Sequence, residues 1–286
     1  MTRVWRDEFA AFAERKTREA IAAVTPRYTT EFVSPADGMI AIGNSWSASR
    51  FDGTFYLTEP PEKRRPACSL VFVQSADGNT VAADPGSLGG GETDKHVVYE
   101  GLSRVAADAV LVGANTMRDD QLVLSVWHPE LVDLRRSLDL PRHPVQIIAS
   151  LTGLDLNRSL IFNVASIPVV LLTSAAGARQ MNDMLAGRPW IRLITVESPD
   201  RLESAMVALR DQRIARISCV GGRTLATALL GQQLIDDVYV TTSARLGGEP
   251  GTPIVLRQSN ATLVLRKHGT GTEAGVVFEH IHLGTF

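Results

Sequence analysis

Cysteine is nearly missing from this chain: among 286 residues only Cys68 and Cys219 occur, each in or beside an apolar, strand-like run. Two such residues cannot build a disulfide framework or a thiolate metal cluster, so both read as buried thiols of a reducing compartment. Charge of one sign is missing too. With 29 Lys and Arg against 31 Asp and Glu, the formal net charge of −2 offers no general attraction to nucleic acid or to an anionic membrane. No apolar run approaches the length of a transmembrane helix, and residues 1–24 are charged and amphipathic, without the apolar stretch of a signal peptide. No repeat or low-complexity tract is found. What remains is the expectation of a soluble cytoplasmic protein, long enough for one large domain or two modest ones.

The pattern changes character at Pro66. Before it, Val4, Trp5, Phe9, Phe12, Ala13, Ala20, Ile21 and Val24 recur at helical spacing, and Pro26 ends the helix. Short strand-like fragments (Ile40–Ile42, Thr54–Leu57) follow, then a linker-like run of Pro and charged residues from Glu59 to Pro66. Residues 1–66 are expected to form an N-terminal extension, with the main domain spanning 67–286. From there strands are expected at Cys68–Ser75, Ala109–Gly113, Val145–Ala149, Val169–Thr173, Arg192–Val196, Arg216–Val220, Val238–Thr242, Thr262–Arg266 and Val276–Leu283. Helical patterns at Asp94–Ala106, Ala175–Ala186, Asp200–Gln212 and Thr224–Leu230 lie between many of them. Strand alternating with helix predicts an α/β fold of three layers, α/β/α, with a mixed, mostly parallel sheet. The last three strands have no helix between them, so the C-terminal part of the sheet should be antiparallel.

Two of these strands end in glycine: Val110-Leu111-Val112-Gly113-Ala114-Asn115-Thr116, and Ser218-Cys219-Val220-Gly221-Gly222-Arg223-Thr224-Leu225. Ligands of open α/β sheets bind outside the carboxyl ends of the strands. Glycine there lets backbone N–H groups approach a ligand, and the start of a helix suits a phosphate. Two such ends on one sheet would let a single dinucleotide span both. A G-x-G-x-x-G fingerprint is not found, and Gly89-Gly90-Gly91, which follows no strand, reads as a flexible loop near the site. His280 and His282 share one face of a strand, but two imidazoles fall short of a metal site, and no metal is expected.

In order along the chain, these motifs resemble the reductase domain of riboflavin biosynthesis, the C-terminal half of bifunctional deaminase-reductases, which has a dihydrofolate-reductase-like fold. Ser75-Ala76-Asp77-Gly78 resembles the family's S-x-D-G turn. Asp108 to Thr116, with Asp120 four residues on, resembles D-A-x-L-V-G-x-x-T-x-x-x-D. Val220 to Leu225 resembles E-G-G-x-x-L, while Leu234 to Val238 and Leu246-Gly247-Gly248 resemble the L-V-D-E-L and L-L-G that follow. The zinc deaminase half, which needs H-x-E and P-C-x-x-C, has no counterpart here.

The resemblance implies an NADPH-dependent oxidoreductase and a homodimer built partly through the terminal strands. Val276–Leu283 reads as an apolar edge strand, and Trp5, Phe9 and Phe12 as one side of the N-terminal helix, each in need of a partner surface. Gly113, Ala114 and Thr116 would lie toward the nicotinamide, and Gly221, Gly222, Arg223, Thr224 and Leu225 would hold the pyrophosphate. Ser150, Thr173 and Ser174 are candidates for the adenosine ribose and its 2′-phosphate, or else cap turns and helices. Ser75, Asp77, Gly78 and Asn79 are candidate substrate contacts, or a plain Asp-Gly turn. Asp120 is the candidate catalytic acid, to orient substrate or relay a proton, or a surface carboxylate.

The departures bear on the substrate. Val220 stands where the family has Glu, Asn79 where Lys is common, and after Asp120 the chain reads Gln121-Leu122-Val123-Leu124-Ser125-Val126 where Pro and then a phosphate-binding Arg are usual. Arg118, Arg135 and Arg136 are the next candidates for such a phosphate. A pyrimidine- or pterin-like substrate is expected; the alternative is a non-catalytic nucleotide-binding module that retains the cofactor cleft. A dihydrofolate reductase proper places an acid in a helix after the first strands, and the sequence shows no convincing equivalent.

Overall fold

The structure, a computed structural model, describes residues 5–60, 64–82, 85–117, 122–254 and 260–284. It opens with α1 (Trp5–Ala22), β1 (Thr29–Val33), β2 (Met39–Ile42), α2 (Ser45–Phe51), β3 (Phe55–Thr58) and β4 (Ala67–Gln74). A 3-10 turn, Pro85–Leu88, leads to the short α3 (Gly91–Thr93), which runs on into a π-helical stretch, Asp94–Leu102. Next come β5 (Ala109–Gly113), a 3-10 turn at Ala114–Thr116, α4 (Pro129–Ser137), β6 (Val145–Ala149), α5 (Leu160–Asn163) and β7 (Val169–Thr173). The chain continues through α6 (Ala175–Leu185), β8 (Ile191–Thr195), α7 (Glu203–Asp211), β9 (Arg216–Cys219) and α8 (Arg223–Gly231). It closes with β10 (Asp237–Thr242), β11 (Thr262–His268) and β12 (Val277–His282). Each strand expected after Pro66 forms, within two residues of its expected ends.

Ten strands make one sheet in the order β1-β11-β12-β10-β4-β9-β5-β6-β7-β8. From β10 to β8 all neighbours are parallel, while β12 runs antiparallel to both β10 and β11, and β1 antiparallel to β11. The apolar runs of the inner parallel strands are buried on both faces, as strands covered by crossover helices must be, while the edge strand β8 leaves Leu193 exposed. On β5, Ala109 and Leu111 join the core formed with α7 and α8, whereas Val110 and Val112 face the core formed with α1, α5 and α6. A third cluster joins α2, α4 and the π-helical stretch to Val71, Tyr239, Leu265 and Phe278. The result is a three-layer α/β/α domain around a mixed, mostly parallel sheet.

Two expectations need correction. Val276–Leu283 was expected to be an apolar edge strand in need of a partner, yet β12 lies between β10 and β11, so its own chain covers it. The apolar side of α1 is likewise met internally, with Phe12 and Ala20 buried and Trp5 and Phe9 packed beside them. The described part of residues 1–66 is joined closely to the sheet. β1 pairs with β11, and Tyr28, Phe51, Phe55 and Leu57 are core residues. Sequence periodicity missed β1, α2, α4 and the one-turn α5. Two signals for the helices were present: the Asn44–Ser47 capping box, and Pro129 at the first turn after His128.

Candidate active site

The two glycine ends meet. Because β5 and β9 are parallel neighbours, both release their chains at the same edge of the sheet. The Gly113 N–H donates to Gly221 O at 3.2 Å, continuing the ladder into the turns. Gly222 is held at φ +85°, where a side chain is strained, and a Cβ there would stand 3.4 Å from Thr116 Oγ1 and 3.6 Å from Gly113 Cα. A Cβ on Gly221, at φ +113°, would meet nothing within 4 Å, so the backbone on that side is open. No side chain caps α8, whose first residues are Arg223, Thr224 and Leu225. Its first-turn N–H groups and the positive end of its dipole therefore have no partner from a capping side chain. Arg223 and Thr224 are exposed, and Leu225 packs inward beside Gly113. Ala114 and Thr116 lie in the 3-10 turn that faces them. An open glycine backbone and an uncapped helix start suit the diphosphate of a dinucleotide.

Beside this pair, β4 ends in the Ser75–Asn79 turn, which is closed by its own side chains. Ser75 Oγ donates to Asp77 Oδ1 at 2.7 Å, and Asn79 Nδ2 to Asp77 Oδ2 at 2.9 Å and to Gly247 O at 3.0 Å. The Gly247 N–H reaches back to Asp77 Oδ1, so the S-x-D-G and L-G-G motifs are one clip. The Ser75 hydroxyl, helped by this N–H and by Asn79, holds the exposed Asp77 carboxyl below its ordinary pKa. Asn79 is buried and committed to the clip, with Gly78 at the bend.

Elsewhere the candidates find internal partners. Ser150 Oγ donates to Gly153 O at 2.9 Å. Ser174 caps α6 by accepting from the Gly177 N–H, and donates to Leu151 O. Thr173 has no exposed surface and packs against Gly177. Asp120 and Arg118 lie outside the described residues. Arg135 is buried and donates to the carbonyls of Arg104, Val105, Ala107 and Pro141, while Arg136 pairs with Asp133 at the surface. Val126 is core. Two further acids of the motifs lie at the opposite end of the sheet and act as struts. Asp108 accepts the N–H groups of Ala215 and Arg216, and Asp236 accepts Cys68 N–H and binds Arg65 through two 2.7 Å contacts. His280 and His282 both contact Asp237 Oδ1, at 2.9 and 3.0 Å, and stand at that same far end.

The expectation that no acid follows the first strands is overturned by Asp94. It opens the π-helical stretch after β4 and is 5% exposed, and Thr241 Oγ1 near the end of β10 donates to its Oδ1. Burial raises its pKa to about 7, against the lowering effect of that hydrogen bond, and the nearby Glu273 carboxylate adds to the rise. Among the described residues no cation pairs with it, so at neutral pH it can hold a proton. Gly89-Gly90-Gly91, expected as a loose loop, is close-packed because side chains are excluded. A Cβ on Gly90 would come within 2.4 Å of Asp94 Oδ2, and one on Gly91 within 2.5 Å of Glu273 Oε1. The pattern of a buried acid after a glycine run was available in the sequence; its burial was not.

A cavity of about 30 Å³ lies by Ala67, Arg216 and Asp237, at the amino ends of the strands. It has room for about one water and sits on the wrong side for this chemistry.

The ordered glycine ends, the clip and the sheet order agree with a sequence comparison in which residues 66–276 match the RibD C-terminal domain. The chain belongs to the RibD C-terminal domain family. No curated protein matches the chain in sequence. Among solved structures it is similar to a pyrimidine reductase-like protein from Corynebacterium diphtheriae, with 20% identity over 77% of this chain and 93% of that one and a TM-score of 0.58. It is also similar to the riboflavin biosynthesis reductase of Saccharomyces cerevisiae, at 16% identity, 78% and 92% coverage and a TM-score of 0.52. A deaminase/reductase from Thermotoga maritima is matched at 19% identity over 78% of this chain but only 58% of that longer one, with a TM-score of 0.54. At these identities the likeness is one of fold.

Proposed function

We propose that this RibD C-terminal domain chain is an NADPH-dependent reductase acting on a small pyrimidine- or pterin-like substrate. The observation that carries the reading is the contact between the two glycine turns at the carboxyl edge of the sheet, beside the uncapped start of α8. When bound, NADPH supplies the hydride. Gly221, Gly222, Arg223, Thr224 and Leu225 hold its diphosphate, Gly113, Ala114 and Thr116 line the nicotinamide side, and Ser150 and Ser174, with the buried Thr173 behind them, stand toward the adenosine end. The Ser75–Asn79 clip floors the substrate side. Asp94 holds a proton there, and Asp120 orients substrate. Strands in a sheet are about 4.8 Å apart, so β10 with Thr241 and Asp94 stands roughly 10 Å from the β9 turn, across β4. That span leaves room for one flat heterocycle between acid and cofactor.

No helix among the described residues is long and apolar enough to cross a membrane, which is compatible with a cytoplasmic enzyme. A homodimer belongs to this reading through β1, the outer strand of the sheet, where Phe32 and Val33 are exposed. Titration with NADPH and NADH, followed by NADPH oxidation with 5-amino-6-(5-phosphoribosylamino)uracil and with dihydrofolate, tests the proposal. Tighter binding of NADPH and turnover of either compound support it. NADPH binding with neither oxidised would favour the non-catalytic module, a reading that Val220 and the committed Asn79 keep open.

A further inference from the structure

Asp94 is held in place from outside its own helix. Thr93, the buried residue before it, is fixed twice: its N–H donates to Glu273 Oε1 at 3.0 Å, and its hydroxyl donates to Pro26 O at 2.9 Å. Glu273 ends the 3-10 turn Gly271–Glu273 between β11 and β12, and Pro26 belongs to the N-terminal extension. Two distant segments therefore converge on the start of the π-helical stretch. Gly91, at φ +85°, leaves Glu273 room to come this close. Glu273 is 7% exposed, and its Oε2 has no hydrogen-bond partner among the described residues. Tyr28, two residues after Pro26, has no exposed surface; its ring stacks on Phe278 and its hydroxyl is likewise without a partner. Glu273, Tyr28 and, from the π-helical stretch itself, Tyr99 are the titratable groups around Asp94. Burial first, and then the charge of Asp94, raises both phenols, and Glu273 raises Tyr28 further, so both stay neutral. Among the described residues Glu273 is the charge set against Asp94.

We infer that Glu273 is the positioning residue of the proton site: through Thr93 it fixes where Asp94 stands, and through its charge it keeps a proton on Asp94. The use made of that proton rests on the proposed reductase reading. Two carboxyls in one low-dielectric enclosure cannot both ionise cheaply, so a charge on Glu273 favours the protonated form of Asp94. The N-terminal extension then has a part in the site, because Pro26 holds Thr93 from the other side and Tyr28 walls the enclosure with an apolar ring.

The test follows the Asp94 carboxyl itself by NMR, in the full chain isotope-labelled at the aspartate carboxyl carbons, with Asp94→Asn to identify its resonance. Wild type is expected to titrate near neutrality, at about 7. Glu273→Gln keeps an oxygen for the Thr93 N–H but removes the charge, so the midpoint should fall by about 1 pH unit, the scale of a nearby charge. Glu273→Ala also frees Thr93 and should lower it further. Thr93→Val, which loses only the bond to Pro26, should lower it as well. An unchanged midpoint in Glu273→Gln overturns the assignment, since a merely structural Glu273 would leave the titration where it was. An unchanged midpoint in Thr93→Val takes the extension out of the site. With whichever of dihydrofolate or the pyrimidine is oxidised, the alkaline limb of kcat/KM should move down in Glu273→Gln along with the midpoint. A limb that stays while the midpoint moves would remove Asp94 from the reaction and overturn the proposal. Oxidation of neither compound by wild type would instead remove the reductase reading beneath it, with the NMR midpoint still deciding whether Glu273 controls the proton.

Discussion

Gly222→Val places a β-branched side chain where the backbone is at φ +85°. Such a conformation is a strained outlier for valine, costing about 1–3 kcal/mol. The new Cβ itself would be in ordinary contact with Thr116 Oγ1 at 3.4 Å and Gly113 Cα at 3.6 Å, but its two methyl groups must occupy further space at the turn. For a domain of this size 1 kcal/mol moves Tm by about 2–4 °C, so the ligand-free variant should melt roughly 2–12 °C lower. The cofactor effect is separate. At a concentration 100 times its Kd, NADPH stabilises the folded state by about 2.7 kcal/mol, which should raise the wild-type Tm by roughly 5–10 °C. In Gly222→Val that rise should vanish, because the methyls fill the approach to the α8 N–H groups. Gly231→Ala is the control: it ends α8, has no positive φ, and its Cβ would meet nothing within 4 Å. It should gain up to about 1 kcal/mol in stability and keep the full response to NADPH. Differential scanning fluorimetry with and without NADPH reads both effects. A Gly222→Val protein that melts lower but retains the NADPH-dependent rise would refute the site.

Three other outcomes are expected. Arg135→Met removes the donor to three buried carbonyls and to that of Pro141, and should cost about 3 kcal/mol or more by urea unfolding; a loss below about 1 kcal/mol would mean water satisfies them. Lys267 is buried, hydrogen-bonds Thr30 Oγ1 and Asp52 O, and burial lowers its pKa from 10.5 to about 8. In that window the unfolded chain holds the extra proton, so stability should rise from pH 8 to 10.5 by on the order of 3 kcal/mol. The rise should disappear in Lys267→Met, and an identical pH slope in both proteins would contradict this. Light scattering at micromolar concentration should give twice 31.0 kDa, and Val33→Asp on the exposed face of the outer strand β1 should shift the mass toward 31.0 kDa; a full-length mass near 31.0 kDa removes the dimer.

Local chemistry alone made most of the sheet legible. Runs such as Val169-Val170-Leu171-Leu172-Thr173 are apolar at every position, which fits a strand covered on both faces. The glycines after β5 and β9 mark strand ends without any knowledge of their neighbours, and the order of motifs carried the family. The lone cysteines, too, were legible as free buried thiols. Strand order was decided by tertiary structure. β1 finds its partner β11 more than two hundred residues away, and β12 passes from expected edge to interior, because such pairing depends on register between distant segments. The same holds for roles. Asp108 and Asp236 stand in motifs beside the glycines and are struts at the far end, whereas Asp94, in no motif, comes to the carboxyl edge beside Thr241. A sequence gives a residue's chemistry, but burial and partners shift its pKa and decide its use. For Asp94 those partners are Thr241 and Glu273.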